Sequence, residues 1–132
     1  MKSAKKLLFV CIENSNRSQM AEAFVKMSGA NVEAYSAGSR PGGFINERAI
    51  VAMKELGYDL QLHSSKSLEE VKKYAPFDVV ITMGCGDACH WMPASRFVDW
   101  TIPDPKEMEM PEFLRTRDLI HEKVNQLLAE IK

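Results

Sequence analysis

Residues 6–20 read KLLFVCIENSNRSQM. The stretch opens on a short apolar run, residues 6–11, the pattern of a strand covered on both faces. At Arg17 the period becomes helical. Met20, Ala23, Phe24 and Met27 share one face, and Gly29 is placed to stop the helix. Five residues, Ile12 to Asn16, separate Cys11 from Arg17. A buried strand that feeds a helix through a short polar loop is the first half of a βαβ unit.

The same alternation continues outward. Residues 32–37 (VEAYSA) alternate and end at Gly38, which predicts a strand, and residues 39–44 (SRPGGF) are a loop. Ala49, Ala52, Met53 and Leu56 mark a second helix closed by Gly57. Residues 67–75 predict a third, with Ser67 as N-cap, Glu70 in the capping-box position, and Leu68, Val71 and Ala75 inward. Residues 77–83 (FDVVITM) read as another strand buried on both faces, and residues 97–102 as a shorter one ending at Pro103. A last helix is expected from Pro111 to Ile131, with Phe113, Leu114, Ile120, Val124, Leu127 and Ile131 on its apolar stripe. The expected fold is α/β: a single domain, residues 1–132, forming a three-layer αβα sandwich around a four-stranded parallel sheet. Such sheets bind ligands beyond the carboxyl ends of their strands. The segments after Val10, Met83 and Ile102 are therefore the places to look.

Composition narrows the function. The chain has 132 residues, 45% hydrophobic and 27% charged, which is a globular balance. Lys and Arg (17) nearly cancel Asp and Glu (18), so neither nucleic acid nor an anionic membrane is expected as partner. No apolar run is long enough for a membrane span. The start, MKSAKKLLFVC, is too short in its apolar part for a signal peptide and is followed by Glu13 and Asn14, so a cytoplasmic protein is expected. Three cysteines without a secretory signal do not make a closed disulfide framework. Most of the eight methionines, with Trp91 and Trp100, read as packing.

The loop after the first strand carries chemistry. Its backbone N–H groups, with the N-terminus of the following helix, converge on one point and form an oxyanion cradle. Arg17 adds a guanidinium able to clamp two oxygens of the bound anion. A helix start beside an arginine favours a thiolate over a thiol, which makes Cys11 a nucleophile aimed at that anion. Glu13, Asn14, Ser15, Asn16, Arg17 and Ser18 are the candidate oxyanion-binding residues, with Ser18 placed to hydrogen-bond the Cys11 sulfur.

Residues 83–90 (MGCGDACH) follow the third strand. If helical, Cys85 and Cys89 share a face with Cα atoms about 6 Å apart, a separation a disulfide tolerates. A metal site of Cys85, Cys89 and His90 supplies at most three ligands where structural zinc wants four, so no metal is expected. Inert thiols are the remaining alternative. Residues 101–106 (TIPDPK) hold Asp104 between two prolines at the same sheet edge, where a carboxylic acid can protonate a leaving oxygen.

CIENSNRSQMAEAF resembles the phosphate-binding loop of the low-molecular-weight protein tyrosine phosphatase superfamily, and SQMAE resembles its thioredoxin-coupled arsenate reductase branch. The resemblance extends through YSAG at 35–38, DVVITM, the Asp-Pro at 104–105 and FLRTRDLI at 113–120. Glu13 stands where the family often has glycine, and Asn16 where many members have a further cysteine. Lys106 stands where the phosphatases carry an aromatic residue.

The resemblance implies arsenate reduction to arsenite, with Cys11 as nucleophile, Arg17 as clamp and Asp104 as acid. It also implies a relay in which Cys85 attacks Cys11, Cys89 attacks Cys85, and a cellular dithiol reduces the final disulfide. Cys89 acting first, or a glutathione-assisted variant with one cysteine idle, are the alternatives. The expected partners are arsenate, mimicked by phosphate or sulfate, and thioredoxin or glutaredoxin with glutathione. The chain is expected to be a monomer without cofactor. Some reductases of this type bind potassium near positions matching Asn14, Glu22, Ser36 and an acidic residue. That last position falls on Lys66, whose ammonium replaces the cation, and no potassium dependence is expected. Asn14 is expected to tie the loop together by side-chain hydrogen bonds, and His63 is a candidate partner of that loop. The runner-up function is a phosphatase acting through a phosphocysteine, with Cys85 and Cys89 protecting Cys11 from overoxidation. An oxyanion-binding or redox-sensing module is a third, disfavoured by Asp104.

Overall fold

A computed structural model of the chain describes residues 4–84 and 92–131. The apolar run around Cys11 forms β1 (Lys5–Cys11), with Leu7, Leu8, Phe9 and Val10 buried. It lies inside a parallel sheet of order β2-β1-β3-β4, with β2 at Val32–Gly38, β3 at Phe77–Thr82 and β4 at Ala94–Asp99. The helices are α1 (Arg17–Ser28), α2 (Glu47–Lys54), α3 (Leu68–Val71) and α4 (Met110–Glu130). Successive β1 side chains point to opposite faces. Leu7 and Phe9 join residues of α1, α2 and α4 in one core, including Met20, Met53, Phe113 and Ile120. Leu8 and Val10 join Leu68 and Val71 of α3 in the other. These are the two helical layers expected from the strand–helix alternation.

Helix ends follow the local signals. Gly29 caps α1 with φ +73°, a left-handed turn open to glycine without a Cβ clash. Ser67 and Glu70 form the expected capping box of α3. That helix does not run to residue 75 as one α-helix. After Val71 it tightens into a 3-10 turn, Lys72–Tyr74, ahead of Pro76, which disfavours helical backbone in the residue before it.

Two other expectations shift. The fourth strand covers Ala94–Asp99, not residues 97–102, because its register is set by Phe77↔Ala94 through Thr82↔Asp99. It is an edge strand, with Phe97 49% exposed, so its apolar content is a poor guide to its limits. Trp100 and Ile102 are buried beyond the end of the ladder. Met27 and Leu56 were expected to face inward and are 40% and 38% exposed, since they fall in the last turn of α1 and in the turn after α2.

The carboxyl ends of β1 and β2 meet closely. Gly38 pairs with Cys11, and a Cβ on it would lie 2.5 Å from the Ile12 carbonyl oxygen and 2.9 Å from the Asn14 nitrogen. The loop after β1 needs that space to turn. Gly38→Ala should destabilise the protein by about 1–3 kcal/mol. Urea unfolding would measure it, and weakened oxyanion binding should accompany the loss.

Candidate active site

The loop leaving β1 turns on Asn14, whose φ is +54°. Asparagine is among the few non-glycine residues that tolerate this region. Its side chain is fully buried and holds the turn from inside. Asn14 Oδ1 accepts from the Lys66 backbone N–H (2.7 Å) and from Gln19 Nε2 (2.8 Å), and Asn14 Nδ2 donates to Ser18 Oγ (2.7 Å). Ser18 Oγ lies 2.8 Å from Cys11 Sγ. Because the Ser18 oxygen already accepts from Asn14, its proton is free to donate to the sulfur.

This chain of donors extends further back. Gln19 Oε1 lies 2.9 Å from His63 Nδ1, and His63 Nε2 lies 2.6 Å from the Tyr58 hydroxyl. An amide oxygen only accepts, so Nδ1 carries the ring proton of His63 and Nε2 accepts from Tyr58. Each donor from Tyr58 to Ser18 thus points toward Cys11. Burial, the largest influence, holds His63 below its ordinary pKa of 6.5, with Glu22 acting in the opposite direction. A neutral ring is what this bonding pattern requires.

The start of α1 faces the cleft without a cap. Asn16, the N-cap residue, makes no capping bond, and its buried Oδ1 has no hydrogen-bond partner among the described residues. No acidic residue lies in the first turn. Backbone donors and a positive helix end are therefore left for an anion. Arg17, only 5% exposed, is held by a bond from Nη1 to the Ile102 carbonyl (3.0 Å). Its Nη2 is 3.8 Å from Asp104 Oδ2. Gly84, with φ +86°, leaves room for this guanidinium, since a Cβ there would approach Nη1 to 2.5 Å. Asp104 Oδ1 accepts from the Lys106 N–H (3.0 Å), which leaves the carboxyl at the cleft wall.

The cleft has a volume of about 40 Å³ and is lined by Cys11, Ser15, Asn16, Arg17 and Asp104, with Glu13 and Lys106 also on its wall. A cavity of roughly 10–15 Å³ admits one water, so the space suits a small tetrahedral anion. Ser18 meets the Cys11 sulfur and Asn14 ties the loop together, as their positions suggest, and Asn14, Ser18 and Glu13 do not offer their side chains to the anion. The Asn14 and Ser18 side chains are buried beneath the loop and brace it. Glu13 turns its carboxylate to Lys106, so only its backbone is available to an anion. Gln19 and Tyr58 escaped the sequence reading. Gln19 had one signal, a polar residue in the first turn of a helix that was otherwise expected to face the core. Cys85, Cys89, His90 and Trp91 lie outside the described residues.

Residues 6–132 match the family described as low molecular weight phosphotyrosine protein phosphatase. The chain belongs to this family. Among curated members it is similar to a glutaredoxin arsenate reductase of Synechocystis sp., with 35% identity over 96% of this chain and 98% of that one. Among solved structures it is similar to an arsenate reductase in the phosphate binding state, with a TM-score of 0.85, 35% identity and coverage of 97% and 99% of the two chains. It is also similar to a thioredoxin-dependent arsenate reductase of Corynebacterium glutamicum, with a TM-score of 0.80, 31% identity and coverage of 98% of this chain and 63% of that one.

Glu22 is buried and accepts from Ser36 Oγ (2.5 Å) and Lys26 Nζ (2.6 Å), and Lys66 Nζ stands 3.8 Å away. Two ammonium groups already neutralise this carboxylate, and a third cation beside them would be repelled. The residues present do not fit potassium. Exchanging potassium for sodium at constant ionic strength should leave turnover unchanged.

His63 gives a second expectation. Its depressed folded-state pKa means that the unfolded chain binds more protons once the pH falls below about 6.5. Stability should be fully present above that pH and should fall on acidification toward the folded-state pKa. Denaturant midpoints at about pH 7.5 and about pH 5.5 test this. The drop should be smaller in His63→Gln.

Proposed function

We propose that the protein reduces arsenate to arsenite, within a single domain spanning residues 1–132. The observation that carries the reading is Cys11 Sγ at the cleft floor, accepting from Ser18 Oγ at 2.8 Å beneath a cradle closed by Arg17 and Asp104. The names of its relatives support the same chemistry.

Arsenate binds to the loop N–H groups and the Arg17 guanidinium. The Cys11 thiolate, held by the Ser18 hydroxyl, attacks arsenic and forms a sulfur–arsenic bond. Asp104 gives a proton to the oxygen that leaves as water. The Cys85 thiolate then attacks the Cys11 sulfur. The sulfur–arsenic bond breaks, arsenite leaves with the electron pair, and a Cys11–Cys85 disulfide remains. Cys89 attacks Cys85, freeing Cys11 and leaving Cys85–Cys89, which an external dithiol reduces by exchange. The two electrons thus pass from that dithiol to arsenic. The reductant is thioredoxin, or glutaredoxin with glutathione. The protein acts as a cytoplasmic monomer; no described helix is long and apolar enough to cross a membrane.

The family match favours one further reading, hydrolysis of phosphomonoesters through a phosphocysteine on the same loop. One experiment separates the two. Arsenate reduction is followed with thioredoxin and with glutaredoxin–glutathione systems, beside aryl phosphate hydrolysis. Cys11→Ser should abolish both activities. Cys85→Ser and Cys89→Ser should lose multiple-turnover reduction, and Cys89→Ser should still release one arsenite and accumulate the Cys11–Cys85 disulfide. Asp104→Asn should lower kcat by roughly 10²–10⁴-fold. Brisk ester hydrolysis with no arsenate turnover in the wild type would establish the phosphatase reading instead.

A further inference from the structure

Two oppositely charged side chains from separate loops meet on the cleft wall, and both are far more exposed than Cys11, which puts them toward its outer end. Glu13 comes from the loop after β1, and Lys106 from the 3-10 turn Pro105–Glu107 that follows Asp104. Glu13 Oε2 and Lys106 Nζ meet at 2.7 Å, bridging 93 residues of chain. Both residues line the same cleft as Cys11 and Arg17.

Each end of this bridge is anchored in backbone. The Glu13 carbonyl accepts from the Gly42 N–H (3.0 Å) and from Ser65 Oγ (3.1 Å). The Lys106 N–H donates to Asp104 Oδ1 (3.0 Å). The pair therefore ties the turn that carries Asp104 to the loop that carries Cys11.

An exposed ion pair adds little to fold stability. Its position gives it another effect. A carboxylate beside an anion site repels the anion unless a cation neutralises it, and Lys106 does so here. Cys11 lies at the floor, 3% exposed. The cleft volume of about 40 Å³ is of the size of a small free anion. An ester carries a substituent on one oxygen, and that substituent has to extend toward the outer end, where the bridge lies.

We infer that the Glu13–Lys106 ion pair is a specificity clasp, which admits inorganic tetrahedral oxyanions and disfavours aryl phosphate esters. The inference rests on the reading of the Cys11–Arg17 cleft as an oxyanion site, and it makes Glu13 and Lys106 the residues that set its substrate class.

The test reads binding and does not depend on turnover. Alkylation of Cys11 by iodoacetamide is followed on the Cys11 peptide by mass spectrometry, with inorganic phosphate or phenylphosphonate as protecting anion. In the wild type, phosphate should protect at a concentration about tenfold or more below that of phenylphosphonate. In Glu13→Ala/Lys106→Ala this ratio should fall by about fivefold or more, while the protecting phosphate concentration moves by less than about threefold. Lys106→Ala alone should weaken phosphate protection, because Glu13 is left unneutralised, and adding Glu13→Ala should restore it. Glu13→Gln, which keeps the size and removes the charge, should shift the ratio in the same direction and serves if the double variant does not unfold cooperatively. Equal protection by both anions in the wild type, or an unchanged ratio in the variants, overturns the clasp. If neither anion protects wild-type Cys11, the oxyanion-site reading fails and the clasp with it. Absence of arsenate turnover alongside selective phosphate protection would overturn the reductase reading and leave the clasp standing.

Discussion

The buried Asn14 amide is the pin on which the site turns. Its backbone sits in the left-handed region, and its side chain joins Ser18 and Gln19 of α1 to the backbone of Lys66. An unpaired amide at this depth would cost on the order of 1–3 kcal/mol for each unsatisfied group, so the loop keeps this geometry or loses several bonds together. The part of the cleft built from the loop after β1 depends on that turn, while Arg17 and Asp104 are set by contacts with the segments after β3 and β4. The turn places Cys11 under Ser18 and leaves the start of α1 uncapped.

Charge is arranged around the turn at short range. The whole chain carries a net charge of −1, and its surface has no dominant sign. Positive potential comes instead from the helix start and from Arg17, which is buried and braced by the Ile102 carbonyl. Among the described residues, the carboxylates on the cleft wall are each engaged. Glu13 is paired with Lys106, and Asp104 accepts from a backbone N–H. Behind the loop, Glu22 is neutralised by Lys26 and Lys66. Burial lowers the pKa of Lys66 while Glu22 raises it, so the two groups hold one another in a region where either alone would be unfavourable.

Much of this was legible in the residues. The run to Cys11, the polar loop and Arg17 lie within a dozen positions, so their spacing alone places a thiol and a guanidinium at one end of one strand. The capping box at Ser67 and the stop at Gly29 are equally local. The limits of β4 were misread because an edge strand need not be apolar, and its ends come from pairing with β3. Met27 and Leu56 were misread because helical periodicity says which side a residue faces but not where the packed surface ends.

What the sequence determined by itself was the order of elements and the residues that open the site, since those depend on contacts between near neighbours. The tertiary structure decided how that site is supported and bounded. His63 reaches Gln19 across 44 residues, and Lys106 reaches Glu13 across 93. No periodicity or motif spacing encodes such pairs. Lys106 meets Glu13 because a parallel sheet gathers the ends of distant strands at one edge, and His63 is brought there by the segment ahead of α3, whose Ser67 bridges to Gly38 at the end of β2.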